Sequence, residues 1–194
     1  MKKIAVLFIF FISLTITAQN NWKVDPYHSK VNFSVSHLVI SEVDGSFNVY
    51  DGSISQKNSN DFSNAVFKFE IDANSIDTDN EKRDGHLKSE DFFHTSKYPK
   101  ISFVSTSVKK RGANKYIIKG KMTMRGVTKM VTLNAKHGGT IANDGYGNTK
   151  AGFIITGEID RTDFGVAWNA KTEHGGLTVG EDVAFTVKLE YVKG

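Results

Sequence analysis

VAFTVKLEY, residues 183–191, places a large apolar side chain at every second position, with small or polar side chains between them. Successive side chains of an extended strand point to opposite faces, so this spacing gives one apolar face and one wet face. The stretch is therefore typical of a half-buried β-strand.

The same alternation recurs along the chain with little competing helical periodicity. Val31, Phe33 and Val35 alternate with polar residues, and so do Phe67 and Phe69. The pattern predicts eight long strands, at about 29–39, 45–56, 63–74, 100–110, 114–125, 129–137, 149–160 and 182–192. The sequence thus indicates an all-β protein.

Short turn sequences separate these strands and favour antiparallel neighbours. They are Asp44-Gly45, Arg111-Gly112-Ala113-Asn114, Arg125-Gly126 and Asn143-Asp144-Gly145. A flat sheet of eight such strands would leave two long exposed edges, and closure into a barrel removes both. A β-sandwich fits the same pattern, because alternation alone does not establish closure.

The first eighteen residues are typical of an export signal. Lys2-Lys3 precede an apolar run at 4–12, and Ile16-Thr17-Ala18 supplies a small residue for cleavage. The run is well short of the ~20 residues of a membrane span, and no later stretch approaches that length. We expect an exported protein without stable membrane insertion, and the signal is equally compatible with the periplasm and with secretion.

Residues 19–194 are predicted to form a single domain. The chain has no cysteine, which excludes disulfides and lipid attachment through an N-terminal cysteine. Without Lys2 and Lys3, the formal charge of +4 falls to +2. Lys109-Lys110-Arg111 lies at a predicted hairpin tip, and the aromatic residues alternate away from the lysines. No nucleic-acid partner is predicted.

Two segments interrupt the alternation. In residues 75–98, Thr78 and Glu81 fit a capping box for a short helix at about 79–88. Ser89 is expected to open a further turn that presents Phe92-Phe93. The second interruption, residues 161–180, is rich in Gly, Asn and Thr and is predicted to be a long loop.

Histidines and acids cluster in residues 81–99, but the spacing does not favour a metal site. A zinc site needs three or four converging donors, and His86 and His94 are eight residues apart with no helical i, i+4 relation. His37 continues the apolar phase of its strand, so it is either a hydrogen-bonded core histidine or a donor to a ligand head group. No nucleophile elbow or phosphate loop is present. Neither an enzyme, a metal nor a cofactor is indicated.

Phenylalanine and methionine are abundant on the apolar strand faces. An eight-stranded barrel can fill its interior with such side chains or keep room for one small ligand, and the alternation is the same in both cases. A structural barrel with a filled core therefore stays open as an alternative at this point.

A series of motifs runs in order through nearly the whole chain after residue 18. They are Trp22-Lys-Val-Asp25-Pro26-Tyr-His28-Ser29, Phe33-Ser-Val-Ser-His37-Leu38, Gly45-Ser-Phe47, Ile71-Asp-Ala-Asn-Ser75-Ile76-Asp77-Thr78, Arg83-Asp84-Gly-His86-Leu87-Lys-Ser89-Glu-Asp91-Phe92-Phe93, Tyr98-Pro99-Lys-Ile101-Ser-Phe103, Gly120-Lys-Met-Thr-Met-Arg125-Gly126-Val127-Thr128 and Ile159-Asp-Arg161-Thr-Asp163-Phe164-Gly165. In these motifs the chain resembles the YceI-like family.

The resemblance implies a lipocalin-like antiparallel barrel of eight strands with a short helical insert at about 78–98. It also implies an exported bacterial protein that holds a long apolar lipid, such as a polyisoprenoid, an isoprenoid quinone or a fatty-acid-like amide. A homodimer is compatible with it. Four residues at family motif positions are expected either to form a polar rim around the ligand or to brace the insert: Asp84, His86, Arg161 and Asp163.

Strand phase, with the resemblance for the insert and the loop, selects the candidate ligand-binding side chains. They are Phe33, Val35, His37, Phe47, Phe67, Phe69, Phe92, Phe93, Phe103, Met122, Met124, Phe153, Phe164 and Phe185. The function expected is noncovalent transport, storage or sequestration of the lipid. The alternative is a cell-envelope enzyme that acts on a lipid or a small substrate through His37, Asp84 and His86.

Overall fold

A computed structural model of the chain describes residues 20–56, 61–173 and 175–194, so the predicted signal peptide, residues 1–18, lies outside the described residues. The strands are β1 (Asn20–Val24), β2 (Lys30–His37), β3 (Ser41–Phe47), β4 (Tyr50–Gln56), β5 (Val66–Asp72), β6 (Ile76–Asp77), β7 (Lys100–Lys110), β8 (Lys115–Met124), β9 (Val127–Ile141), β10 (Lys150–Asp160) and β11 (Val179–Lys193). The described part contains one α-helix, α1 (Glu81–Lys88), and short 3-10 turns at Pro26–His28, Ala73–Ser75 and Thr162–Phe164. No helix in these ranges has both the length and the apolar character needed to cross a membrane.

Antiparallel pairing closes the sheet into a barrel. The hydrogen-bonded order is β1-β4-β5-β7-β8-β9-β10-β11, and β11 pairs again with β1, where Val24 faces Tyr191. β2 continues beside β11 where β1 ends, β3 pairs with β2, and β6 pairs with β3. Three of the eight barrel positions are thus built from two short strands each: β1 with β2, β4 with β3, and β5 with β6. The predicted eight-stranded antiparallel barrel is confirmed.

The prediction was wrong about the first hairpin. The strand predicted at 45–56 is two strands, β3 and β4, and β1 was not predicted. Asp44-Gly45 lies inside β3, whereas the turn is made by Leu38 and Val39, which adopt positive φ values of 53° and 64°. Bulky and β-branched residues rarely take this conformation, so sequence chemistry gave no signal for the turn.

The predicted capping box was also wrong in its residues. Asn80 caps α1 by accepting a 2.9 Å hydrogen bond from the backbone N–H of Arg83. Asp84, rather than Glu81, reaches back to Thr78 and accepts from its backbone N–H at 3.0 Å and its hydroxyl at 2.6 Å. The helix starts at residue 81 instead of 79 because Asp79 has a φ of 58°, which is not helical.

Two apolar clusters fill the ends of the barrel. The packed end is formed by rings and aliphatic side chains, including Trp22, Phe62, Phe67, Phe153 and Tyr191, all 5% exposed or less. The insert end lies under residues 78–98 and contains another set of buried side chains: Val31, Phe47, Ala73, Ile76, Phe92, Ile101, Met122, Met124, Phe164 and Val166. The interior is therefore solid at one end and covered by the insert at the other.

Substitution of Trp22 tests barrel closure. This residue belongs to β1, and its indole Nε1 donates a 3.0 Å hydrogen bond to the buried Oε1 of Gln56 on β4. Trp22→Phe keeps a ring in the core but leaves this oxygen without its donor. We expect the free energy of unfolding to fall by about 1–3 kcal/mol. Lys23→Gln, on the exposed face of the same strand, should change it by about 0.5 kcal/mol or less. Urea denaturation measures both, and equal effects would contradict this account of closure.

His137 should make the packed end sensitive to acid. Its ring stacks on Phe153 at 5.0 Å and meets Phe62 edge-on at 5.1 Å. Burial lowers the pKa of His137; a backbone hydrogen bond with Gly139 opposes this shift, and the charge of Lys110 adds to it. The unfolded chain therefore takes up this proton first as the pH falls.

Neutral His137 therefore contributes its full stability above its ordinary pKa of about 6.5. This contribution should be lost progressively as the pH falls from that value to the lower pKa of the folded state. The variant His137→Phe keeps the stacking and removes the titration. In urea denaturation at pH 8, 7, 6 and 5, wild type should lose stability relative to this variant. A constant difference between the two proteins would show that His137 does not titrate in this way.

Candidate functional site

An apolar cavity lies inside the barrel between the two clusters. Its volume is about 170 Å³, and it is lined by side chains from both ends. Since one water needs only about 10–15 Å³ of such space, the interior is not filled by the protein's own side chains. Eleven of the predicted ligand-binding residues lie in its wall: Phe33, Val35, Phe47, Phe67, Phe69, Phe92, Phe93, Phe103, Met122, Met124 and Phe185.

Three other predicted residues do not line this cavity. Phe153 is buried in the packed end, where its ring meets Phe67 edge-on at 5.5 Å. Phe164 is buried in the cluster beneath the insert. His37 is half-buried at the end of β2, opposite Val179 of β11. A contact of any of these residues with a ligand stays a prediction.

Four of the wall phenylalanines each lie over a glycine of a neighbouring strand. The rings of Phe33, Phe69 and Phe185 cover the glycines directly opposite them in the register, and Phe103 covers one that lies diagonally. The pairs are Phe33 with Gly45, Phe69 with Gly52, Phe103 with Gly120 and Phe185 with Gly157. In every pair, a Cβ added to the glycine would overlap the ring.

The glycines explain why these rings leave the lumen open. Each ring occupies the space next to the wall that a side chain on the adjacent strand would otherwise fill. Phe185 illustrates the tightness, because a Cβ on Gly157 would lie 2.6 Å from its Cζ and 2.8 Å from Leu133. We call these four rings the glycine-backed phenylalanines.

Aliphatic side chains supply much of the remaining wall, and our choice of candidates, which favoured phenylalanine and methionine, missed them. The alternation that identified the rings marks most of these residues as well, so strand phase was sufficient to predict that they face the interior. They are Val31, Ile71, Ile76, Leu87, Ile101, Ile118, Leu133, Ile155, Ile159, Val166, Val179, Val183, Val187 and Leu189.

The insert closes one end of the cavity through an aromatic cluster. The ring of His86 lies 5.0 Å from Phe92 and 5.0 Å from Trp168, and the last two rings are 5.2 Å apart. His86 Nε2 is also 3.0 Å from a carboxylate oxygen of Asp91. Because Trp168 belongs to the 161–180 loop, these contacts fasten the insert to that loop.

Arg161 is a buried cation at this end, 5% exposed, and it lines the cavity. Its guanidinium donates to four backbone carbonyls, at distances between 2.6 and 3.2 Å. The acceptors are Gly180, Val166, Trp168 and Val179. Burial lowers the pKa of Arg161, and the charges of Glu181 and Asp160 oppose the shift. The side chain holds both sides of the 161–180 loop together.

Two other predicted rim residues, Asp84 and Asp163, make contacts within the protein. Asp84 is occupied by Thr78, as described above, and Asp163 forms an exposed ion pair with Lys129 at 3.1 Å. Arg125, which was not predicted, donates to the backbone carbonyls of Gly165 and Glu90 and so links the β8–β9 turn to the loop and to the insert. In the described chain, no hydrogen bond or ion pair joins His37 to Asp84 or His86.

One group of side chains outside the barrel has the composition of a metal site. Oxygen and nitrogen atoms of Asp25, His28 and Glu190 lie within 4.8 Å of one another. The ammonium of Lys150 lies 2.7 Å from Glu190 and 3.3 Å from Asp25, and the hydrogen bond to Glu190 raises the pKa of Lys150. The carboxylates thus already share a cation of the protein itself, which also lies 3.5 Å from Asp144.

Comparison with known proteins identifies the family of this chain and solved structures with the same fold. The family model of the YceI-like domain matches residues 22–191. A UPF0312 protein of Staphylococcus aureus (strain MSSA476) is 37% identical over 171 residues, which is 88% of this chain and 96% of that protein.

Three solved structures share the fold. The Campylobacter jejuni YCEI protein has 31% sequence identity and a TM-score of 0.68, covering 81% of this chain and 88% of that one. Burkholderia cenocepacia BcnA has a TM-score of 0.74 at 22% identity, covering 86% and 98%. A polyisoprenoid binding domain from Saccharophagus degradans, implicated in plant cell wall breakdown, has a TM-score of 0.61 at 17% identity, covering 89% and 98%. The chain therefore belongs to the YceI-like domain family.

Proposed function

We propose that this protein binds a long apolar lipid inside its barrel and performs no covalent chemistry on it. The observation that carries the proposal is the apolar cavity, kept open by the glycine-backed phenylalanines. The polyisoprenoid-binding character of the Saccharophagus degradans domain, which shares this fold, supports the same class of ligand. Polyisoprenoids, isoprenoid quinones and long-chain amides all have the required tail.

The affinity should come from the wall. Each buried methylene contributes about 0.8 kcal/mol, so ten of them offer about 8 kcal/mol before the costs of association. One hydrogen bond contributes about 0.5–1.5 kcal/mol. The cavity is smaller than the roughly 300–1,000 Å³ usual for ligand sites, so a long tail requires the wall to yield. The flexible side chains of Met122 and Met124 are suited to that adjustment.

Two of the three side chains named for the enzymatic alternative already make contacts within the protein. Asp84 accepts a hydrogen bond from Thr78, and the ring of His86 contacts the rings of Phe92 and Trp168. Residues 1–18 support export as a further part of the proposal, to the periplasm or to the medium. Dimerisation stays a prediction.

The proposed function is tested by the cargo of the native protein. The protein should be produced in its own host, purified without detergent, and measured by native mass spectrometry with analysis of the extracted lipid. We expect an additional mass that is lost on denaturation and that extracts into organic solvent. A barrel that is empty and takes up no added polyisoprenoid or quinone would overturn the proposal.

Gly157→Ala tests the role of the glycine-backed phenylalanines. The new methyl group would push Phe185 away from the wall and into the lumen. We expect the lipid occupancy to fall at least several-fold. The measurement is the molar ratio of extracted lipid to protein, together with retention of an added quinone.

Gly152→Ala is the matched control, because it lies on the same strand and an added Cβ meets no atom within 4 Å. This variant should keep the wild-type occupancy. Both variants are compared at equal folded fraction, measured by thermal unfolding. Unchanged occupancy in a folded Gly157→Ala protein would show that the ring position does not control the cavity.

A further inference from the structure

We propose that Arg161 recognises the head group of the bound lipid, and that the ligand carries a hydrogen-bond acceptor such as a carboxylate, a phosphate or a carbonyl. The head group would then lie beneath the insert, with the tail directed toward the packed end. This inference rests on the proposed function and adds to it the chemical class and the orientation of the ligand.

The hydrogen bonds of Arg161 to the described residues leave one donor. A guanidinium has five N–H groups. Nε donates to Gly180 at 2.8 Å, and one Nη donates to Val166 at 2.6 Å and to Trp168 at 3.0 Å. The other Nη donates one bond, to Val179 at 3.2 Å. Within residues 20–56, 61–173 and 175–194, one N–H is therefore available on a group whose plane is already fixed by four other bonds.

The groups in direct contact with the charge of Arg161 are carbonyl dipoles rather than an anion, and Glu181 and Asp160 act on it from a distance. Within the described residues, no carboxylate lies within 4 Å of its guanidinium. The carboxylate of Asp160 accepts from the backbone N–H and hydroxyl of Thr162, and Glu181 is exposed to solvent. A buried charge without a counterion is costly, so an acceptor or an anion brought beside it gains more than it would at the surface.

The orientation follows from the rest of the cavity wall. Among the described lining residues, Arg161 and Lys68 are the two that carry a charge. Lys68 is exposed on the outer face of β5, between Phe67 and Phe69. The wall toward the packed end includes Phe67, Ile118 and Leu133, and also Tyr191, whose hydroxyl is neutral at pH 7.4 and whose pKa is raised further by burial. A charged or acceptor head group is therefore favoured at the insert end and an apolar tail at the other.

Wild-type protein and three sixteen-carbon probes test the proposal directly. Hexadecanoate, hexadecanamide and hexadecylamine share one tail and differ in the head group. Each is titrated at pH 7.4 against delipidated protein loaded with the neutral hydrocarbon diphenylhexatriene, whose fluorescence reports displacement. We expect hexadecanoate to bind at least tenfold more tightly than hexadecylamine, with the amide between them.

Variants then assign the preference to one side chain. Arg161→Gln should reduce the ratio between acid and amine to about one, whereas Lys119→Gln, which removes an exposed cation from the outer surface of β8, should leave the ratio unchanged. If Arg161→Gln does not fold, the wild-type series decides. Equal affinity for the three probes would overturn the head-group inference and leave lipid binding intact, and failure of every probe and of diphenylhexatriene to bind would overturn both.

Discussion

A phenylalanine ring lying over a glycine of the next strand is the contact on which the hollow interior depends. A closed barrel of eight strands is just wide enough for inward side chains to fill it. Removing the side chain from one strand gives the ring of its neighbour a place beside the wall, and this occurs four times around the barrel. Glycine within a strand costs roughly 0.5–1 kcal/mol relative to alanine. The protein thus gives up some stability for an internal space.

The same glycines mark the limit of what the sequence could predict. Alternation was sufficient for the eight barrel positions, because a strand with one buried face must repeat every two residues. Gly45 was interpreted as a turn residue because glycine usually ends a strand. Its actual role depends on Phe33, twelve residues earlier and directly opposite it in the sheet. The true turn at Leu38 and Val39 has residues that local chemistry disfavours there, so tertiary structure decides that position.

Strand phase predicted which side chains face inward but not how far along the barrel each one lies from open space. Phe153 and Phe185 are both inward residues of adjacent strands. Phe153 meets the rings of Phe62, Phe67 and Tyr191 and belongs to the solid end, whereas Phe185 has Gly157 opposite and belongs to the cavity. The contact of His86 with Trp168 joins residues 82 positions apart, and no local pattern could indicate it.

The two ends of the barrel differ in how they could open to a lipid. At the packed end, interlocked rings and the buried hydrogen bond between Trp22 and Gln56 belong to the strands themselves, so opening there would break the barrel. At the insert end, the cover is a short helix without buried residues, followed by a turn whose Phe92 is buried. Aromatic contacts and hydrogen bonds hold this cover to the loop and to the barrel, and it contributes no strand to the closed sheet. Segments with few buried contacts open at the lowest free energy. For the proposed lipid, the insert end is therefore the route of lower free-energy cost, and it passes the guanidinium of Arg161.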